Sequence, residues 1–178
     1  AEVSGDDYVP DGQFEIDAYP EVNALIDKGN ANLNVLGFTD HSAAHTAFVA
    51  ERAAYILEQF GYSEHEIELA RIAGYMHNIG NAVNRTRHAE YGAILANDIL
   101  KATDMTLEDR MTVMAAIGNH DEGTGVPVNA VAAALILADK ADVRWTRVRN
   151  KDISTFDIHD RVNYSVKKSN LIINDEKT

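Results

Sequence analysis

An all-α helical bundle is the fold this sequence predicts, and three observations predict it. Apolar residues recur at helical spacing in successive segments, several segment ends carry helix start or stop signals, and one segment is apolar on every side. A helix apolar all round belongs in the middle of a bundle.

Taken in order, residues 1–19 are rich in Asp, Gly and Tyr with weak periodicity and read as a loose arm. A first helix is expected from about Tyr19 to Leu36, with Val22, Leu25 and Ile26 apolar, although Gly29 weakens its second half. Val49, Ala53, Ile56, Leu57 and Phe60 then mark one buried face of a helix that Gly61 ends. Ser63 with Glu66 three positions on is a capping box opening the next helix, whose inward residues are Leu69, Ile72, Ala73 and Met76 and which should stop near Gly80. Further helices are expected over residues 88–100 and 107–120, followed by the turn Asp121-Glu122-Gly123-Thr124-Gly125. The helix apolar on every side runs from about Val128 to Val148. Beyond Asn150, alternation of Tyr164, Val166, Leu171 and Ile173 predicts a short β-hairpin around Lys168-Ser169-Asn170. The expected organisation is one domain, with an arm and helix over residues 1–36, a helical core over 37–150 and a C-terminal extension over 151–178.

Composition narrows the function classes. There are no cysteines, so disulfides, thiolate metal sites and cysteine nucleophiles are excluded, and any metal must bind through nitrogen and oxygen. A formal net charge of -12 argues against binding a nucleic-acid polymer, whose phosphates demand an excess of Lys and Arg. No apolar run approaches the roughly 20 residues that span a bilayer. The first ten residues are acidic and do not read as a signal peptide, so no membrane partner and a cytoplasmic location are expected. Self-association into a homo-oligomer is left open.

The informative residues are polar ones on apolar faces. His45 lies four residues before Val49 and continues that stripe inward, with His41 four residues earlier at the helix entrance. His77 follows Ala70, Ala73 and Gly74, small residues that leave room for a bound group. His88 shares a face with Gly92, Leu95 and Ile99, His120 continues Val113, Ala116 and Ile117, and Asp139 continues Ala132 and Leu135. His65 and His159 read as surface residues. One such histidine alone reads most simply as a hydrogen-bonded core residue, and Asp139 alone as half of a buried salt bridge. Four histidines and an aspartate on the inner faces of five helices are explained together by a divalent metal. Imidazole and carboxylate suit Zn, Fe, Mn, Co or Ni, and carboxylate admits Mg. Lys140, Arg144 and Arg147 fall at helical spacing and form either a phosphate grip beside Asp139 or a solvated basic face.

Five stretches carry a family resemblance: Asp40-His41-Ser42-Ala43-Ala44-His45, Gly74-Tyr75-Met76-His77-Asn78-Ile79-Gly80, Arg87-His88-Ala89-Glu90, Ile117-Gly118-Asn119-His120-Asp121-Glu122 and Ala138-Asp139-Lys140-Ala141-Asp142. In order and spacing they resemble the HD-domain superfamily of metal-dependent phosphohydrolases. The resemblance implies an HD-type helical bundle and makes His45, His77, Asn78 and Asp139 ligands of one ion. It makes His88 and His120 ligands of a second, with Asp121 where a further histidine often stands. It further implies cleavage of a small phosphorylated substrate, a nucleotide or another phosphate ester, by metal-activated water. His88, His120 and Asp121 are then candidate catalytic residues, and Glu122 shares with Asp121 the candidate role in proton transfer. Asn78 departs from the family's His-Asp dipeptide. An amide offers one neutral oxygen where a carboxylate offers an anionic oxygen to each of two ions, so single occupancy or a weakened second site is expected. A degenerate relative that binds metal or phosphate without turnover is the alternative, and a helical interaction protein with a buried polar network is a third.

Overall fold

A computed structural model of the chain describes residues 3–4 and 20–173. Its elements run β1 (Val3–Ser4), α1 (Pro20–Val35), α2 (Ala43–Gln59), α3 (Glu64–Met76), α4 (His88–Leu100), α5 (Leu107–Gly118), α6 (Ala130–Ala141), α7 (Ile158–Ser165) and β2 (Asn170–Leu171), with short 3₁₀ turns at Ile79–Ala82, Trp145–Arg147 and Ile153–Thr155. The fold is all-α, and the arm expected over residues 1–19 lies outside the described residues except for β1.

Local chemistry sets the helix ends. Gly61 takes φ 73°, a left-handed conformation that glycine adopts without a Cβ penalty. The following Tyr62 amide donates to the Leu57 carbonyl at 3.1 Å and the Gly61 amide to Glu58 at 2.9 Å, which together close the end of α2. Ser63 and Glu66 form both bonds of the capping box at the start of α3. Thr106, Asn129 and Asp157 cap α5, α6 and α7 by accepting from backbone amides three residues on.

The core lies among α2 to α6. Helix α6 packs against α2, α3 and α5, burying Val131, Ala132, Ala134, Leu135 and Ala138, while its outer face leaves Leu137 exposed. Ile117, Val113 and Val49 fill the space between the helices with no accessible surface. Burying a side chain of this size contributes about 1.5–3 kcal/mol.

Three expectations are corrected. The small residues before His77 do not leave room for a ligand: a Cβ on Gly74 would stand 2.6 Å from Ala50 Cα, so the space is filled by the backbone of α2. Helix α6 ends at Ala141 and not near Val148, because the Asp142 carboxylate turns to buried partners and the chain leaves helical geometry there. Lys140, Arg144 and Arg147 therefore share no helical face. The C-terminal hairpin is absent: residues 158–165 form α7, capped by Asp157 accepting from the Asp160 amide at 2.7 Å, and β2 pairs antiparallel with β1, Val3 opposite Leu171. The alternation that suggested a strand includes Val162 and Tyr164, whose side chains are largely exposed on α7.

Gly74 supplies a test whose sign is diagnostic. In a helix with free space, Gly→Ala stabilises by about 1 kcal/mol through propensity. At the α2–α3 crossing the added methyl meets backbone, so Gly74→Ala should instead destabilise by about 1–3 kcal/mol in urea unfolding. A more stable variant would refute the close packing.

Candidate metal centre

The histidines form a continuous row across the bundle. Ring centroids are 5.3 Å apart for His41–His45, 5.3 Å for His45–His77, 5.0 Å for His77–His120 and 4.9 Å for His120–His88. His45 comes from α2, His77 directly follows α3, His88 opens α4 and His120 follows α5, and all four are buried. Asp139, on α6, faces the row.

Each ring is held in one orientation by its Nδ1. His45 Nδ1–H donates to Asp142 Oδ2 at 2.7 Å, His77 Nδ1–H to the Gly74 carbonyl at 2.6 Å, His120 Nδ1–H to the Ile117 carbonyl at 2.6 Å and His88 Nδ1–H to the Arg85 carbonyl at 3.0 Å. With Nδ1 protonated, a neutral ring presents its lone pair at Nε2. Burial depresses the pKa of His77 well below the ordinary value, lowers His120, and pulls His88 down to about 4, so these rings are neutral at physiological pH. Burial raises the pKa of Asp139, but the facing imidazoles of His45 and His77, 3.4 and 3.7 Å away, outweigh it and hold the carboxyl well below its usual range.

This ionisation is what a metal requires of its ligands. Donor atoms of His45, His77 and Asp139 all lie within 4.8 Å of one another. His45 Nε2 is buried and has no hydrogen-bond partner, with Asp139 Oδ1 3.4 Å away, and His77 Nε2 is 3.7 Å from the same oxygen. The unpartnered lone pair of His45 Nε2 facing an Asp139 carboxylate oxygen calls for a positive centre between them. The residues present thus fit a divalent ion bound through nitrogen and oxygen. His88 Nε2 and His120 Nε2 face each other 3.2 Å apart one ring further along, with Arg85 Nη1 3.3 Å from the former.

Asn78 sits beside this cluster with its amide nitrogen inward. Its Nδ2 donates to His77 Nε2 at 2.6 Å, and its Oδ1 accepts from Asn81 Nδ2 at 3.0 Å. An amide nitrogen has no lone pair to give, so ligation by Asn78 requires the side chain to turn over and present its oxygen.

Asn78, His88, His120 and Asp139 line a cleft of about 360 Å³ together with Asp121, Glu122, Lys140, Arg147 and residues of α7 that include His159. His159, read as a surface residue, is exposed but sits on the cleft wall; His65 is a surface residue, paired with Asp109. Lys140 Nζ pairs loosely with Glu122 at 3.1 Å, an exposed contact of small worth. Arg144 donates to both oxygens of Asp142 at 2.6 and 3.1 Å and lies over the Phe48 ring. Arg147 spends its donors on the carbonyls of Asp40, at 3.0 and 3.1 Å, and Asp142, at 2.6 Å. Two of the three cations expected to meet substrate are thus engaged in the protein.

Two participants escaped the sequence reading. Asp142, which brackets the His45 ring opposite Asp139, was visible as a second aspartate three residues after the first. Arg85, on the segment before α4, also lines the cleft, and nothing in its sequence neighbourhood marks it.

A helical bundle that gathers buried histidines and an aspartate from successive helices around one point defines a class of metal-binding domain. The model of the HD domain matches residues 43–158, more than half of the chain, and the chain belongs to that family. It is also 28% identical to an uncharacterized protein of Methanocaldococcus jannaschii, MJ1020, over an alignment covering 80% of this chain and 63% of that relative, so the chain spans less than two thirds of the relative's length. No solved structure matches the chain. HD domains generally bind divalent metals. Among the described residues, no helix is long and apolar enough to cross a membrane.

Proposed function

We propose that this chain is a metal-dependent phosphohydrolase acting on a small phosphorylated compound, a nucleotide or another phosphate ester. The observation that carries the reading is the convergence of His45, His77 and Asp139 on one point, with Asp139 also lining an adjacent cleft. These three hold the ion, and Asn78 joins them once its amide is turned. The chemistry such an ion would supply when bound is polarisation of a phosphoryl oxygen and acidification of a water. His88 and His120 stand one ring away, where they hold a second ion or, without it, contact phosphate. Asp121 and Glu122 line the cleft from the turn after α5, and either would assist proton transfer. Lys140, whose ammonium lies 3.1 Å from the Glu122 carboxylate and 3.9 Å from that of Asp139, would meet a phosphate bound beside Asp139. Arg144 and Arg147 act on substrate through the loop they brace more than through their own donors.

Asn78 favours a second reading, a domain that binds metal or a phosphate compound without turnover, since an amide cannot bridge two ions as a carboxylate does. One experiment separates the two. Purified protein with added Mn is expected to hydrolyse 4-nitrophenyl phosphate, and Asn78→Asp should raise the bound metal from about one ion toward two. Turnover only in Asn78→Asp supports the binding protein; metal uptake by neither form defeats both readings.

A further inference from the structure

The cleft contains a guanidinium that the fold leaves without an anion. Arg85 is half-buried, its side chain lying over the Phe38 ring at 5.2 Å, and its Nη1 approaches His88 Nε2 at 3.3 Å. The neighbouring His88 Nδ1, at 3.4 Å, is itself a donor to the Arg85 carbonyl and cannot accept. A neutral imidazole nitrogen is therefore the one side-chain acceptor within reach of this five-donor fork among the described residues, and no carboxylate there is at ion-pair distance. Elsewhere around the site the fold satisfies its arginines: Arg144 takes the Asp142 carboxylate, Arg147 two carbonyls and Arg149 the Asp40 carboxylate. Leaving one guanidinium uncompensated in a partly desolvated cleft is costly unless an anion arrives there. Burial lowers the pKa of Arg85, while the more distant Asp121, Asp139 and Glu122 oppose that without touching it.

The contacts of Arg85 also fix its aim. Its own carbonyl orients the His88 ring, and Phe38 supports one face of the guanidinium, so the fork is preorganised against the cleft that Asp139 and His120 share. A planar fork of this kind suits two oxygens of a phosphoryl group. We propose that Arg85 is the phosphoryl-binding residue of this cleft, receiving non-bridging oxygens of the substrate's phosphate between its guanidinium and the metal-ligand cluster. This rests on the phosphohydrolase reading only for the identity of the anion.

Calorimetric titration of inorganic phosphate into the Mn-loaded chain tests it, with metal content measured on each variant. Arg85→Ala is expected to weaken phosphate binding on the order of 10- to 100-fold, the range for a charge-assisted pair, with metal content unchanged. Arg85→Lys should recover part of the loss, because it restores charge without the fork. In the unsubstituted protein, phosphate should protect Arg85, but not the exposed Arg87, from modification by phenylglyoxal, read by mass spectrometry. Unchanged affinity in Arg85→Ala, absence of protection, or a wild-type protein that takes no phosphate overturns the assignment. Hydrolysis assayed alongside keeps the two ideas apart. Turnover with an unaltered KM in Arg85→Ala sinks only the role of Arg85, whereas Arg85-dependent phosphate binding without turnover under any metal sinks only the hydrolase reading.

Discussion

Asp139→Asn should abolish metal uptake at metal concentrations that saturate the wild type, and with it the proposed hydrolysis of 4-nitrophenyl phosphate. The substitution keeps the shape of the side chain and removes the anion that, alone among the described residues, faces both His45 Nε2, at 3.4 Å, and His77 Nε2, at 3.7 Å. The metal-free fold should tolerate it well, because an amide nitrogen can donate to the unpartnered His45 Nε2. The ligand field cannot, because two neutral imidazoles and an amide leave a dication without a counter-charge. Metal affinity is expected to fall by at least about 100-fold, beyond the 10–100-fold typical of a residue that merely supports a ligand. The clearest readout is thermal. Metal at about 100 times its Kd stabilises a wild-type site by about 2.7 kcal/mol, and that gain in Tm should vanish in the variant while the metal-free Tm changes little. A variant that still gains Tm and binds metal stoichiometrically would place the ion elsewhere.

How much of this was legible depends on what each feature rests on. Helical periodicity is local, so α4 appears over residues 88–100 as expected and α1 within a residue at each end. Capping chemistry is local too: Gly61 ends α2 because it lacks a Cβ, and Ser63 opens α3 with its hydroxyl. The site was legible for the same reason: a histidine in register with Val49, or an aspartate in register with Leu135, must enter the core whatever the other helices do. What failed depends on distant partners. The end of α6 is set by the pull of His45 and Arg144 on Asp142, and residue 45 is 97 positions away in sequence. The small face before His77 is a packing feature because α2 crosses it, which Ala70, Ala73 and Gly74 alone cannot reveal. Residues 162–166 alternate like a strand, yet the Asp157 cap selects the helix. Arg85 has no periodic signal at all; its meaning comes from having no carboxylate at ion-pair distance among the described residues, where Arg144 and Arg149 each have one.

Asp142→Asn is the second large effect, and it distinguishes support from ligation. The buried Asp142 carboxylate accepts from His45 Nδ1 at 2.7 Å and from Arg144 at 2.6 and 3.1 Å, with Arg147 Nε 3.7 Å away. Through the first bond it fixes the tautomer that turns His45 Nε2 toward Asp139; through the others it anchors the loop after α6. Loss of the orienting partner should cost about 10–100-fold in metal affinity, less than Asp139→Asn and without eliminating uptake. Stability should suffer more than in the Asp139 variant, because Arg144 keeps its charge and loses its counter-ion; breaking a buried pair costs about 3–5 kcal/mol, and the partial exposure of Arg144 puts the expectation at the lower end. The pH dependence carries a sign as well. Burial raises the Asp142 pKa, but His45 and Arg144 overcome it and hold it far below the ordinary 3.8, so its contribution is complete above that value and drains away as pH falls below it. Urea unfolding of the metal-free proteins should therefore show wild type losing its advantage over Asp142→Asn as the pH is taken below about 4, where the unfolded carboxyl protonates and the folded one does not. An advantage that persists undiminished in strong acid, or a variant that binds metal like wild type, would remove Asp142 from the support of His45.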